Sequence, residues 1–247
     1  MTATTDRIET VTAPTSLRPE RLAAGDVRQA REPFAYLIAL GMVDEAAQGA
    51  LREGFPASKQ AGFIPHQPAD CGADFNRLIA EITTPAFVDM LGERLGVPRL
   101  SDFPVLVTIC TRLNKRHGTI HTDSRSKIAS ALLYLNENWM TSRAETPGSA
   151  GCLRLLAKVD DIESMFTPEI PPLFGTLVAL RRSENSFHGH LPFEGERRVI
   201  QFAWLADRDA LERKTQRGHM QRAFKRVFGP FDRWLGARRD VNKAHRD

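Results

Sequence analysis

Residues 104–110 read PVLVTIC, residues 130–135 read SALLYL, and between them lies His121-Thr122-Asp123. The two flanking runs are short, apolar and rich in β-branched or aromatic side chains, the signature of strands rather than helices. The same character persists from Phe103 to Leu205. CLRLL (152–156), TLVAL (176–180) and RVIQFAWL (198–205) are further strands of this kind, set apart by Gly, Pro, Asn and Ser. Several such strands with no helix between them predict a sandwich or jelly roll.

Outside this block the pattern changes. Residues 1–20 are rich in Thr, Pro and charge, and are expected to be disordered. Glu20 to Arg31 reads as a short helix. Phe34 to Leu40 reads as a buried strand. Asp44 is placed to cap a helical run, EAAQGALREG, that stops before Pro56. Asp74–Ile82 and Pro85–Leu95 have helical spacing of apolar residues, with Thr84 as a cap and Gly96 and Pro98 as terminators. After Ala206 the chain turns helical and basic, and Phe224, Val227, Phe228 and Trp234 make an apolar stripe. The expected organisation is a tail (1–20), a helical support region with one or two strands (21–102), a β core (103–206) and a basic helical extension (207–247).

The chain has 247 residues, 42% hydrophobic and 26% charged, an ordinary globular composition that excludes collagen-like, disulfide-scaffold and wholly disordered classes. Its longest uncharged apolar stretch, Pro33 to Val43, falls well short of the ~20 residues a membrane span needs. The opening MTATTDRIET has no apolar block, so no secretory signal is expected. Three widely spaced cysteines, Cys71, Cys110 and Cys152, suit free thiols in a reducing compartment, and a cytoplasmic location is expected. The net charge of +4 is uneven: residues 208–247 carry twelve Lys/Arg against five Asp/Glu, and residues 1–207 carry 22 against 25. The body is mildly acidic, so the overall charge carries no strong nucleic-acid signal for most of the chain.

Candidate chemistry lies in the strand-rich half. On an extended chain, residues i and i+2 face the same way, so His121 and Asp123 converge. Two histidines and one carboxylate on one side of an octahedral ion leave three positions open, the arrangement of non-haem Fe(II) oxygenases. An HxD alone is a weak signal, ordinarily a solvated turn. His188, 65 residues beyond Asp123, can return as the third ligand once several strands have wound round. Arg198 begins the strand RVIQFAW, where a buried guanidinium needs an anionic partner. A cosubstrate carboxylate would provide one in bidentate geometry, and Tyr134 could add a hydroxyl donor.

These motifs in order are His121-Thr-Asp123, Tyr134-Leu-Asn-Glu-Asn-Trp139, Gly151-Cys-Leu-Arg-Leu155, His188-Gly-His-Leu-Pro192, and Arg198 through Trp204. Together they resemble the prolyl-4-hydroxylase-like group of 2-oxoglutarate/Fe(II)-dependent dioxygenases, over roughly residues 103–206. The resemblance implies a mainly β protein with flanking helices (α+β), a double-stranded β-helix (jelly roll) braced by N-terminal helices. It implies that His121, Asp123 and His188 ligate Fe(II), that Arg198 binds the distal carboxylate of 2-oxoglutarate, and that Tyr134 shares it. It also implies O2 as cosubstrate and, as in many relatives, ascorbate to keep iron reduced.

Two alternatives stay open at this level. His190 lies on the same face as His188, and Pro192 four residues after His188 favours the latter. Arg197 competes with Arg198, and strand alternation puts Arg198 on the face of Trp204. Ala150-Gly151 stands where relatives often have Gly-Gly. His117 reads as exposed, and His66 has no evident partner.

The expected activity is hydroxylation of a small-molecule or amino-acid-like substrate with release of succinate and CO2. Asp123 argues against halogenation, since related halogenases replace that carboxylate by a small residue. Arg125 and Lys127 follow the first two ligands and offer cations to an anionic substrate group. The competing class is a non-catalytic metal-binding barrel whose basic tail binds membrane or nucleic acid.

Overall fold

The strand-forming runs pair almost entirely with distant partners, and the pairing sets the architecture. The computed structural model describes residues 15–139 and 150–216. Its strands are β1 (Arg28–Ala30), β2 (Tyr36–Ala39), β3 (Phe63–Pro65), β4 (Val105–Leu113), β5 (Lys127–Tyr134), β6 (Arg154–Leu156), β7 (Leu177–Arg181), β8 (Phe187–Gly189) and β9 (Gly195–Leu205). Seven of them form one antiparallel sheet in the order β1-β2-β7-β5-β9-β4-β3. β6 and β8 form a second, short sheet.

Bridges outside the strands complete the short sheet. His121 pairs with His188 on one flank of β8, and Leu153 with Ile170 and Leu156 with Met165 on the far side of β6. The chain therefore alternates between sheets: β4 in the long one, His121 in the short one, β5 long, β6 short, β7 long, β8 short, β9 long. That winding is a double-stranded β-helix, the jelly roll expected from the sequence.

Strand alternation gives the long sheet two buried faces. One face carries Ile109, Leu133, Ala179, Ile200, Phe202 and Trp204, packed with Phe75, Leu78, Ile82, Phe87 and Leu91 of two helices. The other carries Cys110, Tyr134, Val178 and Val199, packed with Leu153 and Leu155 of the short sheet. The helices are α1 (Gln48–Glu53), α2 (Ala73–Ile82) and α3 (Pro85–Leu95). α2 buries Phe75, Leu78, Ile79 and Ile82, spaced three and four apart, so one stripe faces the sheet. Gly92 of α3 lies where a Cβ would run into the Val97 carbonyl and Leu100, and Gly96 ends the helix in the left-handed conformation at φ 72°.

The Asp44 cap forms as expected, its side chain accepting from the Ala46 N–H. Thr84 precedes α3 in an extended conformation, but its hydroxyl turns back to donate to the Glu81 carbonyl and caps nothing in the helix. The expected helix over Glu20–Arg31 is not there. A 3-10 turn at Pro19–Ala23 gives way to β1, whose backbone pairs with β2. Apart from Leu22 the turn buries nothing, and the free edge of β2 offers 28–30 better hydrogen-bond partners than a solvated helix would.

Ser16 and Leu17, inside the stretch expected to be disordered, are ordered: both N–H groups donate to the Glu81 carboxylate and Leu17 is buried. Residues 1–14 lie outside the described residues. Residues 208–216 are helical, whereas the stripe at Phe224, Val227, Phe228 and Trp234 lies outside the described residues. Cys71, Cys110 and Cys152 form no disulfide with one another. Among the described residues no helix is long and apolar enough to cross a membrane.

Candidate metal centre and the buried arginine

The chemistry-bearing residues sit between the two sheets, and backbone pairing puts them there. His121 and His188 exchange hydrogen bonds, N–H to carbonyl at 3.0 and 2.9 Å, so their side chains emerge side by side. The imidazole centroids are 4.4 Å apart with the rings tilted by 55°. Asp123, two residues after His121, turns to the same point. One ligand atom from each of His121, Asp123 and His188 lies within 4.8 Å of the others.

Both imidazoles are held in orientation by the backbone. His121 Nδ1 lies 2.7 Å from the Thr119 carbonyl and His188 Nδ1 lies 2.9 Å from the Ser186 carbonyl. A carbonyl only accepts, so each Nδ1 donates, and Nε2 is the ring nitrogen left for a metal. Burial, followed by the neighbouring His188, pushes the His121 pKa down to about 4, so the ring is neutral at pH 7. Burial alone would raise the Asp123 pKa. The Lys127 ammonium, His188, and hydrogen bonds from Lys127 and Ser130 outweigh it and hold the carboxyl well below the usual range. Two imidazole Nε2 atoms and an ionised carboxylate are a sound donor set for a divalent first-row metal, and three protein ligands leave further positions of an octahedral ion open. The residues fit the ion.

The second element of the site is Arg197 on β9. It is 2% exposed, and its Nη2 lies 3.4 Å from the Tyr134 hydroxyl. The guanidinium carbon stands 5.1 Å from the Tyr134 ring centroid. Its Nε is buried with no hydrogen-bond partner, and among the described residues no carboxylate pairs with it. Burial raises the Tyr134 pKa despite the nearby guanidinium, so the phenol keeps its proton.

Arg198, the expected anion clamp, points the other way. It pairs with Glu196 and packs over the Phe55 ring at 5.9 Å. Side chains do alternate along β9, so the difference lies in which face Trp204 occupies. Trp204 does share a face with Arg198, and that face is the outer one, beneath α2 and α3. Odd-numbered Arg197 and Val199 face the short sheet, and even-numbered Arg198, Ile200 and Phe202 face away from it.

The YLNxxW segment divides its labour. Tyr134 faces the short sheet beside Arg197. Asn136 clamps β9, accepting from Arg198 N–H at 2.7 Å and donating to the Arg198 and Pro172 carbonyls. Trp139 donates to the Ala150 carbonyl and packs on Phe193, with ring centroids 4.7 Å apart. Gly151, at φ 74°, is hemmed in by these two rings.

Solved structures similar to this chain include prolyl-4-hydroxylases. One from Pseudomonas putida is 17% identical, with a TM-score of 0.45, over 69% of this chain and 84% of its own. One from Phytophthora capsici is 15% identical, with a TM-score of 0.47, over 77% and 63%. A 2OG-Fe(II) oxygenase family member from Burkholderia pseudomallei is 12% identical, with a TM-score of 0.40, over 65% and 76%. No family model matches the chain, and no curated protein does. At such identities the functional assignment has to come from the side chains themselves.

The remaining histidines fall outside the triad. His190 is buried, its Nδ1 on the Leu191 carbonyl at 2.7 Å, and its ring packs where a Cβ on Gly118 would stand. Burial and the Arg197 charge push its pKa down to about 4. His117 is half-buried in a turn with Asn114, not exposed as expected. His66 does have a partner, Asn76 Oδ1 at 2.9 Å. Sequence reasoning missed Ser130 and the contact of Lys127 with Asp123. The i, i+4 spacing of Asp123 and Lys127 was the available signal, but on a turn running into a strand it predicts no contact.

Proposed function

We propose that this chain is a 2-oxoglutarate- and Fe(II)-dependent dioxygenase that hydroxylates a C–H bond of a small-molecule or amino-acid-like substrate. One observation carries the proposal: the His121–Asp123–His188 cluster and a buried guanidinium, Arg197, that has no anionic partner among the described residues, both lie on strands that face the space between the two sheets. A buried unpaired charge is strongly unfavourable unless a ligand compensates it. A metal site beside an anion receptor suits a cosubstrate that chelates with one end and carries a carboxylate at the other.

His121, Asp123 and His188 would hold the iron. When bound, iron with 2-oxoglutarate and O2 supplies oxidative decarboxylation to succinate and CO2, with the second oxygen atom inserted into the substrate C–H bond. Arg197 would take the distal carboxylate in its planar fork, and Tyr134 would donate its hydroxyl proton to the same group. Asn136 keeps β9 in register so that Arg197 faces inward. The inner face, lined by Leu153, Leu155, Val178 and Val199, keeps the pair dry and strengthens the charge-assisted bonds.

The test is succinate release across a panel of amino acids, peptides and small molecules, with Fe(II), 2-oxoglutarate and ascorbate supplied. A companion experiment needs no substrate: anaerobic Fe(II) plus 2-oxoglutarate should give a weak visible charge-transfer band in wild type and none in His188→Ala. A wild type with neither the band nor a 2-oxoglutarate-dependent thermal shift contradicts the proposal.

A further inference from the structure

The Asp123 carboxylate already has a cation. Lys127, at the first position of β5, places Nζ 2.5 Å from Asp123 Oδ1, while Ser130 donates to Oδ2. The Lys127 side chain is 12% exposed and that of Asp123 5%. Among the described residues Lys127 makes no other ion pair. The pair sits within the cluster that would receive a metal.

An ion arriving at this cluster meets the ammonium whichever carboxylate oxygen it uses. Bound through Oδ1, it either displaces Lys127, leaving the ammonium in a largely buried place, or shares the oxygen with that ammonium at close range. Bound through Oδ2, it sets two positive charges on the same small carboxylate. Both routes carry an electrostatic cost, large where solvent is excluded. Without a metal, the same ammonium compensates a buried carboxylate that would otherwise destabilise the fold, and Ser130 keeps the carboxylate aimed.

We infer that Lys127 is the resident counter-ion of the metal-free site: it holds Asp123 in place before an ion arrives and thereby sets the affinity for divalent cations below that of the three ligands alone. This rests on reading the triad as a metal centre. Lys127 is a positioning residue with an opposing effect on loading. Neutralising it should tighten metal binding while weakening the metal-free fold.

The test titrates Mn(II) into the full chain, following free Mn(II) by electron paramagnetic resonance, with thermal unfolding measured alongside. Lys127→Met and Lys127→Gln should each lower the Mn(II) Kd about tenfold. Lys127→Arg, which keeps the charge, should stay within about threefold of wild type. Both neutral variants should melt below wild type without metal and show a larger Mn(II)-induced rise in Tm. A neutral variant that folds only with Mn(II) present supports the inference. Neutral variants that bind no tighter than wild type, or that fail to fold with or without Mn(II), overturn it. His188→Ala separates the two levels: if it binds Mn(II) as well as wild type does, the metal centre itself is wrong.

Discussion

The Arg197 guanidinium lies over the ring of Tyr134, 5.1 Å from its centroid, with Nη2 3.4 Å from the phenol oxygen and Nε unpartnered. A cation so placed is short of hydrogen-bond acceptors, and its worth should show in binding. Arg197→Met should raise the 2-oxoglutarate requirement about 30- to 100-fold, the loss expected for charge-assisted bonds. Arg198→Ala should change it less than about twofold, because that side chain lies on the far face of β9, paired with Glu196 and packed over Phe55. Kinetics at varied 2-oxoglutarate distinguish them, and the reverse ranking would return the clamp to Arg198.

The same cation predicts an effect on stability. Without ligand, Arg197→Met should leave Tm unchanged or raised, since it removes an uncompensated buried charge and keeps much of the volume. With saturating 2-oxoglutarate and metal, the order should invert. Calorimetry of both forms checks the inversion.

Metal binding should stabilise the fold through the triad. At a metal concentration one hundred times its Kd, wild type should gain about 2.7 kcal/mol. His188→Ala should gain almost none. Differential scanning fluorimetry with Mn(II) or Co(II) reads the difference.

The pH dependence follows from His190. Its folded pKa of about 4 lies below the ordinary value of 6.5. Below pH 6.5 the unfolded chain takes up a proton that the fold refuses, so stability falls with acid from about 6.5 to 4 and then levels off. The slope for one proton is about 1.4 kcal/mol per pH unit. His121 acts in the same direction and window in the metal-free protein. Asp123 has the opposite sense: its depressed folded pKa contributes stability at every pH above the ordinary carboxyl range, lost only in stronger acid. His190→Gln should therefore flatten the decline of Tm between pH 6.5 and 4 without moving the plateau at neutral pH.

Asn136→Ala removes three hydrogen bonds that tie β5 to β9 and to the 172 carbonyl. It should cost about 2–3 kcal/mol, because buried partners are left unpaired. It should also raise the 2-oxoglutarate requirement, as β9 loses its tether beside Arg197. Urea unfolding and kinetics together check both.

The sequence made β2, β4, β5, β6, β7 and β9 legible because each carries a short apolar run, and α2 legible because Phe75, Leu78, Ile79 and Ile82 repeat at helical spacing. The placement of His121, Asp123 and His188 in one cluster was legible through motif order. The inward arginine was not. β9 is buried on both faces, so Ile200, Phe202 and Trp204 look no more external than Val199 does, and burial does not tell the two faces apart. Nor was β1, whose RQA sequence has no strand character of its own and becomes a strand only because β2 offers an edge. Contacts such as Lys127 with Asp123 depend on how a turn enters a strand, which no periodicity encodes.

The tandem arginines make β9 an unusual place for an indel. Deleting one residue from the 192–195 turn would slide β9 by a single step and reverse every side chain in it. Arg198 would then arrive where Arg197 stood, so the charge would survive. Phe202 and Trp204 would be forced into the space between the sheets and Val199 beneath the helices. Such a chain would keep its guanidinium and lose its room for a guest, so in this strand volume polices the frame more strictly than charge does.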